Sequence, residues 1–167
     1  MVDLVRVCYA STATFPSNLQ GGIEVEVGRI LLQSRRNNSR DKVGGVLHFG
    51  DGYFFQCLEG NSRTVTDVLS RIKRDTRHRD FKILSKTEPN KRLFKNWSMK
   101  YVPVETVFSD IMARHGLDKF NPYQFDSDII NQLLEACVFG VDPVAELGNV
   151  DTKTRGFTGW LKRLING

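Results

Sequence analysis

Residues 43–60 read VGGVLHFGDGYFFQCLEG, so that two apolar runs flank a Gly-Asp-Gly turn. Glycine adopts positive φ at little cost, and the turn therefore predicts a β-hairpin. Alternation along the second run gives two side-chain faces, one of Phe54, Gln56 and Leu58 and the other of Tyr53, Phe55 and Cys57. Because both faces are mostly apolar, we expect this strand to lie centrally in a sheet that is covered on both sides.

Gln56 is a polar side chain in the middle of this apolar strand. Its amide carries two donors and one acceptor, and burying it without partners would cost roughly 1–3 kcal/mol. A backbone carbonyl, a bound water or the hydrogen-bonding edge of a ligand would each satisfy it. The strand alone leaves these alternatives open.

The composition is that of one soluble globular domain, with or without an appendage. The chain has 167 residues, of which 40% are hydrophobic and 26% are charged. No run is apolar and long enough to span a bilayer, and the N-terminal segment lacks a signal-peptide pattern. The odd number of cysteines in apolar patterns predicts reduced, buried thiols in a cytoplasmic protein, namely Cys8, Cys57 and Cys137. Without a CxxC motif and with scattered histidines, we expect no metal site.

The net charge of +5 is mild but unevenly distributed. Cations cluster in two places, at Arg35, Arg36, Arg40 and Lys42 and at Arg71, Lys73, Arg74, Arg77 and Arg79. Such runs usually form solvated helix faces, and the functional alternative is a site for phosphate or nucleic acid.

Hydrophobic periodicity predicts the order β-α-β-β-α-β-β over the first hundred residues. The first helix is expected to end near residues 36–38, and Asn61-Ser62 is expected to cap the second. The remaining strands are predicted at residues 4–10, 81–86 and 97–102. This order is an α+β, ferredoxin-like arrangement with one extra strand and two helices on one face of the sheet.

The last third of the chain carries three apolar stripes with helical spacing. They are Val104/Phe108/Ile111/Met112, Ile130/Leu133/Leu134/Cys137 and Phe157/Trp160/Leu161/Leu164/Ile165. We expect these helices to cap the second face of the sheet, because such a stripe normally faces a core. For the last helix, partner binding or a membrane surface is the alternative.

Tyr9 and Gln56 lie on the two strands that this topology makes central neighbours. If both side chains point to the helix-covered face, the phenol reaches the amide. Further polar residues frame the same cleft: Asn38 at the end of helix one, and Arg71, Asp75 and His78 at i, i+4 and i+7 on helix two. Together they suit a planar ligand with a polar edge.

Over about its first hundred residues the chain resembles the BLUF domains, which are blue-light sensors using flavin. The matching motifs are Cys8-Tyr9, Arg36-Asn37-Asn38, residues 54–60 (FFQCLEG), Arg71-Ile72, residues 75–78 (DTRH) and residues 94–99 (FKNWSM). The chain departs from the family at residues 42–45, where KVGG stands in place of Gly-Ile-Thr-Gly and removes a hydroxyl near the cleft.

The resemblance implies a flavin, FAD or alternatively FMN, held between the two helices. It places Asn38 at the imide edge and Arg71 at the far carbonyl, and it includes Asn37 among the cofactor-binding residues. It also places Asp75 and His78 along the ribityl and phosphate side.

In the same resemblance, Gln56 bridges Tyr9 and the flavin. Tyr9 gives up an electron and then a proton through Gln56 after blue-light excitation, and Gln56 is left rotated or tautomerised. Trp97 or Met99 then passes the change to the C-terminal helices. This divides the chain into a flavin-binding domain, residues 1–103, and a helical cap or output region, residues 104–167. The expected partner is a downstream regulatory protein, with a second copy of the chain as the alternative. Neither nucleic acid nor a membrane is expected.

Two other classes compete with a light sensor. An RNA-recognition module shares the β-α-β-β-α-β order and places aromatics on its third strand, as at Tyr53, Phe54 and Phe55. Its expected Arg/Lys-Gly-Phe-Gly-Phe pattern fits poorly here, and the C-terminal helices would cover the sheet face that RNA needs. A small-substrate enzyme ranks third, because the sequence offers no nucleophile–base pair. We therefore expect a sensor and not an enzyme.

Overall fold

The computed structural model describes residues 3–16, 22–95, 98–102 and 104–139. Its elements in chain order are β1 Leu4–Ala13, α1 Gly22–Asp41, β2 Gly44–Gly50, β3 Tyr53–Asn61, α2 Ser62–Ile72, β4 His78–Thr87, β5 Lys100–Tyr101, α3 Val104–Arg114, a short 3-10 helix Pro122–Gln124, and α4 Ser127–Phe139. The expected order of strands and helices is confirmed.

The five strands form one sheet in the order β4-β1-β3-β2-β5. β1 and β3 are antiparallel neighbours at its centre, and their register places Tyr9 opposite Gln56. β5 is an edge strand that pairs in parallel with β2. This is the predicted ferredoxin-like α+β fold with one added strand.

Each face of the sheet has its own apolar core, and the strand parity deduced from the sequence is confirmed. Under α1 and α2 the sheet contributes Val5, Val7, Tyr9, Phe54 and Leu58, and the helices contribute Val27, Leu31, Val65, Val68 and Leu69. Under α3 and α4 lie the opposite faces of the same strands, with Cys8, Phe55 and Cys57 against Phe108, Ile111, Ile130, Leu133 and Leu134. Within the described residues, α3 and α4 therefore cap the second face, as predicted.

Local chemistry explains the turns between these elements. The β2–β3 turn uses positive φ at Asp51 (49°) and Gly52 (82°), which is the conformation that the Gly-Asp-Gly sequence favours. Asn61 caps α2, because its side-chain oxygen accepts from the backbone N–H of Arg63 at 3.1 Å and of Thr64 at 3.4 Å.

Two helix ends differ from the prediction. α1 continues through the asparagines to Asp41, and Lys42 then breaks it at φ 54°. Asparagine costs little inside a helix when a tertiary partner occupies its side chain, and Asn38 donates to the carbonyl of Ser98 at 3.0 Å. α2 ends at Ile72, so Asp75 lies in the following turn and His78 begins β4. The expected i, i+4, i+7 face on one helix is therefore wrong.

β5 has two residues instead of the six expected from 97–102. Trp97 lies outside the described residues, as does the third C-terminal stripe at 157–165. Among the helices that the structure describes, none combines the length and the apolar character needed to cross a membrane.

Candidate functional site

A cleft opens between α1 and α2 above the two central strands. Its apolar walls come from Ile30, Leu47, Phe54 and Val68. Its polar lining includes Asn37, Asn38, Gln56, Arg71, Asp75, Arg77 and His78. All the cofactor-binding residues expected from the sequence therefore line one cleft.

Tyr9 and Gln56 form the hydrogen bond at the floor of this cleft. The Tyr9 hydroxyl donates to Gln56 Oε1, and the two residues are only 4% and 3% exposed. Tyr9 also stacks on Phe81, with 4.5 Å between ring centroids. Burial, and after it the negative charge of Asp75, raises the pKa of Tyr9 well above its usual value near 10. The phenol therefore stays protonated and acts as the donor.

The second end of the Gln56 amide faces β5. Gln56 Nε2 donates to Met99 Sδ at 3.5 Å, so one amide touches a phenol at its oxygen and a thioether at its nitrogen. Arg35 on α1 fixes the backbone here by donating to the Met99 carbonyl at 2.8 Å. Of the two relay residues considered, the structure places Met99 against Gln56 and describes no position for Trp97.

Asn38 lies in the last turn of α1 and is buried. Its amide nitrogen donates to the Ser98 carbonyl, which ties the end of α1 to the segment before β5. Asn37 lines the same end of the cleft.

The charged residues at the α2 end are held by neighbours. Arg71 donates to Asp41 at 2.7 Å. Asp75 is paired with Arg77, whose hydrogen bonds lower the pKa of the Asp75 carboxyl. His78 Nε2 lies 2.8 Å from the Ile72 carbonyl, while its buried Nδ1 has no hydrogen-bond partner among the described residues.

Three site residues escaped the sequence reasoning. Ser11 is buried on the same strand face as Tyr9, and the two-residue period of β1 could have found it. Arg77 bridges Asp75 and Gln33, with 2.7 Å to Gln33 Oε1. Asp41 at the end of α1 forms an ion pair with Arg71 on α2. The two residues are 30 positions apart, and no sequence pattern predicts this contact.

These residues fit a flavin. Apolar walls on both sides suit a flat ring, and amide and guanidinium groups at the rim suit its carbonyl and imide edges. His78 also lines this cleft, and its buried Nδ1 has no partner among the described residues, so it is a polar group that a ligand can satisfy.

Comparison with known proteins agrees with this geometry. The family model described as BLUF, "Sensors of blue-light using FAD", matches residues 4–100. The chain belongs to the BLUF family. The resemblance of its motifs is thereby confirmed, and the chain is a blue-light sensor that binds flavin.

Solved BLUF structures share the fold beyond the family match. The ground state of BlsA superposes with a TM-score of 0.75 at 29% identity, covering 83% of this chain and 90% of that one. Its photo-activated state gives 0.77 at the same identity. The dark-state structure of BlrB, a BLUF protein, has 21% identity and a TM-score of 0.67, and it supports the fold alone.

Curated relatives are much longer proteins. The photoactivated adenylate cyclase subunit beta of Euglena longa is 25% identical over 105 residues, which are 63% of this chain and 12% of that protein. The subunit alpha of Euglena gracilis is 23% identical over 105 residues, again 63% of this chain. The chain thus spans about a tenth of these relatives, within which the sensor is joined to other segments.

The alternative of an RNA-recognition module finds no support. Phe54 and Phe55 are buried, and within the described residues α3 and α4 cover the sheet face that stacked bases would need.

Proposed function

We propose that the Tyr9–Gln56 hydrogen bond is the light-switched contact of this sensor. The observation that carries the proposal is the position of one buried amide between Tyr9 and Met99. An amide can exchange its donor and acceptor ends by rotating, and it can therefore exist in two arrangements in an otherwise fixed site.

FAD is the proposed cofactor, because the family is described by it. When bound, flavin supplies blue-light absorption and a one-electron oxidant. Asn37 and Asn38 would hold its imide edge and Arg71 a far carbonyl. Asp75 and His78 would lie along the ribityl and phosphate side.

The chain's own part is to hold and move one proton. Tyr9 Oη carries that proton, because burial disfavours the phenolate, and Gln56 Oε1 accepts the hydrogen bond. If Tyr9 loses an electron, its hydroxyl becomes strongly acidic, and Gln56 is the adjacent acceptor. A rotated Gln56 would turn its oxygen toward the Met99 sulfur, which has no proton to donate, and the N–H contact would be lost.

Met99 therefore distinguishes the two amide arrangements and passes the difference to β5. Trp97 remains the second candidate for this relay. We propose residues 1–103 as the flavin-binding domain and 104–167 as the cap and output region, acting without catalysis on a downstream regulatory protein. Self-association of the chain is the alternative output.

Absorption spectroscopy tests the switch. Purified protein should be yellow, and blue light should shift its absorption reversibly to longer wavelength. Chromatography of the released cofactor should identify FAD. Tyr9→Phe should retain the colour and lose the shift. Tyr123→Phe is the matched control, because its hydroxyl contacts Thr12 and the Asp80 carbonyl instead of Gln56.

A colourless protein that takes up no added flavin would refute the sensor function. A full shift in Tyr9→Phe would refute the role of the phenol.

A further inference from the structure

Lys100 is a buried lysine on β5. The residue is 1% exposed, and its Nζ donates to the backbone carbonyl of Cys137 at 2.9 Å. Cys137 lies in the last turn of α4 that the structure describes. The ammonium therefore binds the α4 backbone in that turn.

A buried ammonium at this position needs a compensating interaction. Removing an ammonium from water is costly unless strong acceptors replace the lost hydration. The backbone carbonyl of Cys137 is such an acceptor. Lys100 thus joins the edge strand to α4 by a charge-assisted hydrogen bond, in a mostly apolar core that also holds the buried His48 ring against Phe108 and Phe120.

Met99 and Lys100 are consecutive, and their side chains lie on opposite sides of the sheet. Met99 belongs to the core beneath α1 and α2 and contacts Gln56. Lys100 is paired with Val46, whose side chain belongs to the core beneath α3 and α4. The peptide bond between Met99 and Lys100 therefore connects a contact to Gln56 on one side of the sheet with a contact to α4 on the other.

β5 is a short strand at the edge of the described sheet, with two residue pairs to β2. Arg35 also donates to the Met99 carbonyl at 2.8 Å, and the Val102 N–H donates to the Leu47 carbonyl at 3.0 Å. A change in the Met99 contact therefore acts directly on the backbone of this short segment.

We propose that Lys100 is a positioning residue that couples the arrangement of Gln56 to the last described turn of α4. The inference rests on the proposed switch and adds the residue that carries it through the sheet. Movement of Met99 displaces the adjacent Lys100 backbone, and the Nζ–Cys137 contact then changes in length or direction. The turn of α4 that contains Cys137 is the element that responds.

Hydrogen exchange of flavin-loaded protein in darkness and under blue light tests this coupling. In the natural sequence, exchange at residues 135–138 should change on illumination by about fivefold, which corresponds to about 1 kcal/mol in local opening. Lys100→Met, which keeps the chain length and removes the charge, should keep the absorption shift and lose the light-dependent difference at α4. Lys119→Met is the matched control, because Lys119 is an exposed lysine between α3 and α4.

The two readouts separate the possible failures. An absorption shift without any light-dependent exchange at α4 in the natural sequence would overturn the coupling and leave the switch intact. A full exchange difference retained in Lys100→Met would overturn the role of Lys100. Absence of the absorption shift in the natural sequence would overturn the switch and the coupling together. The exchange measurement on the natural sequence tests the coupling to α4 even if Lys100→Met does not fold.

Discussion

The energetic coupling between Tyr9 and Gln56 can be measured with a double-mutant cycle. Tyr9→Phe removes the hydroxyl that donates to Gln56 Oε1, and Gln56→Met removes the acceptor with little change in side-chain length. Both residues are at most 4% exposed, so water does not readily replace the lost partner. Each single variant therefore leaves one buried polar group without its protein partner.

The magnitudes follow from that burial. Leaving a buried donor or acceptor unpaired costs about 1–3 kcal/mol, whereas removing both partners costs nearer the net value of one hydrogen bond, about 1 kcal/mol. Each single variant should lose about 2 kcal/mol of unfolding free energy, and the double variant should lose clearly less than the sum. The expected coupling energy is about 1–3 kcal/mol. Other contacts of Gln56, including the proposed one to flavin, are removed in both arms of the cycle and cancel.

Urea denaturation in darkness, at saturating flavin and monitored by circular dichroism, provides the four free energies. Pairing Gln56→Met with Tyr123→Phe is the control cycle, because Tyr123 bonds to Thr12 and Asp80. That cycle should be additive within about 0.5 kcal/mol. Additivity in the Tyr9–Gln56 cycle as well would show that the two groups do not share a hydrogen bond in the dark protein.

Three further perturbations test other parts of the structure, each by the unfolding free energy. Gly45→Ala would place a Cβ 2.1 Å from a carbonyl oxygen of β3, and it should cost about 1–3 kcal/mol. The Cβ of Gly60→Ala meets side-chain methyls at 3.2 and 3.4 Å and a backbone oxygen only at 3.6 Å, so this variant should cost less; equal costs would contradict the close approach at Gly45. Burial lowers the pKa of His48 to about 4, so the unfolded chain takes up this proton at higher pH than the folded one. Stability should fall by about 3 kcal/mol between pH 6.5 and 4, and His48→Leu should remove that part of the slope. An unchanged slope would contradict the assignment of a buried neutral imidazole. The Glu59 carboxylate is fully buried and accepts from an arginine of β1 and two backbone N–H groups, so Glu59→Gln should cost about 1–3 kcal/mol. The ion pair between Glu26 and Arg29 is partly exposed, so the matched variant Glu26→Gln should lose less than about 1 kcal/mol of unfolding free energy. Similar losses in Glu59→Gln and Glu26→Gln would contradict the expected effect of burial.

Much of the site could be predicted because strand parity is a local property. Once residues 53–60 form a central strand, Gln56 has to share a face with Phe54 and Leu58, and Tyr9 has to share one with Val5 and Val7. The hairpin and the order of elements make those two strands neighbours. The motifs then supplied the family, because several short matches occur in the right order.

Helix ends were harder to predict, because the competing interactions are distant in sequence. Asn38 resembles a helix terminator until the Ser98 carbonyl, 60 residues away, is known to accept from its side chain. Asp75 and His78 fit a helical spacing, yet α2 stops at Ile72 and the turn after it delivers both residues to the cleft. The same residues reach the site by a different backbone path.

The sequence by itself determined which side chains share each face of the sheet, since alternation along a strand depends only on neighbouring residues. The tertiary structure alone decided that Met99 touches the Gln56 amide and that Lys100 reaches the Cys137 carbonyl of α4. The physical reason is that β5 is short and lies at an edge, so its position is set by contacts with α1, β2 and α4 and not by its own sequence pattern.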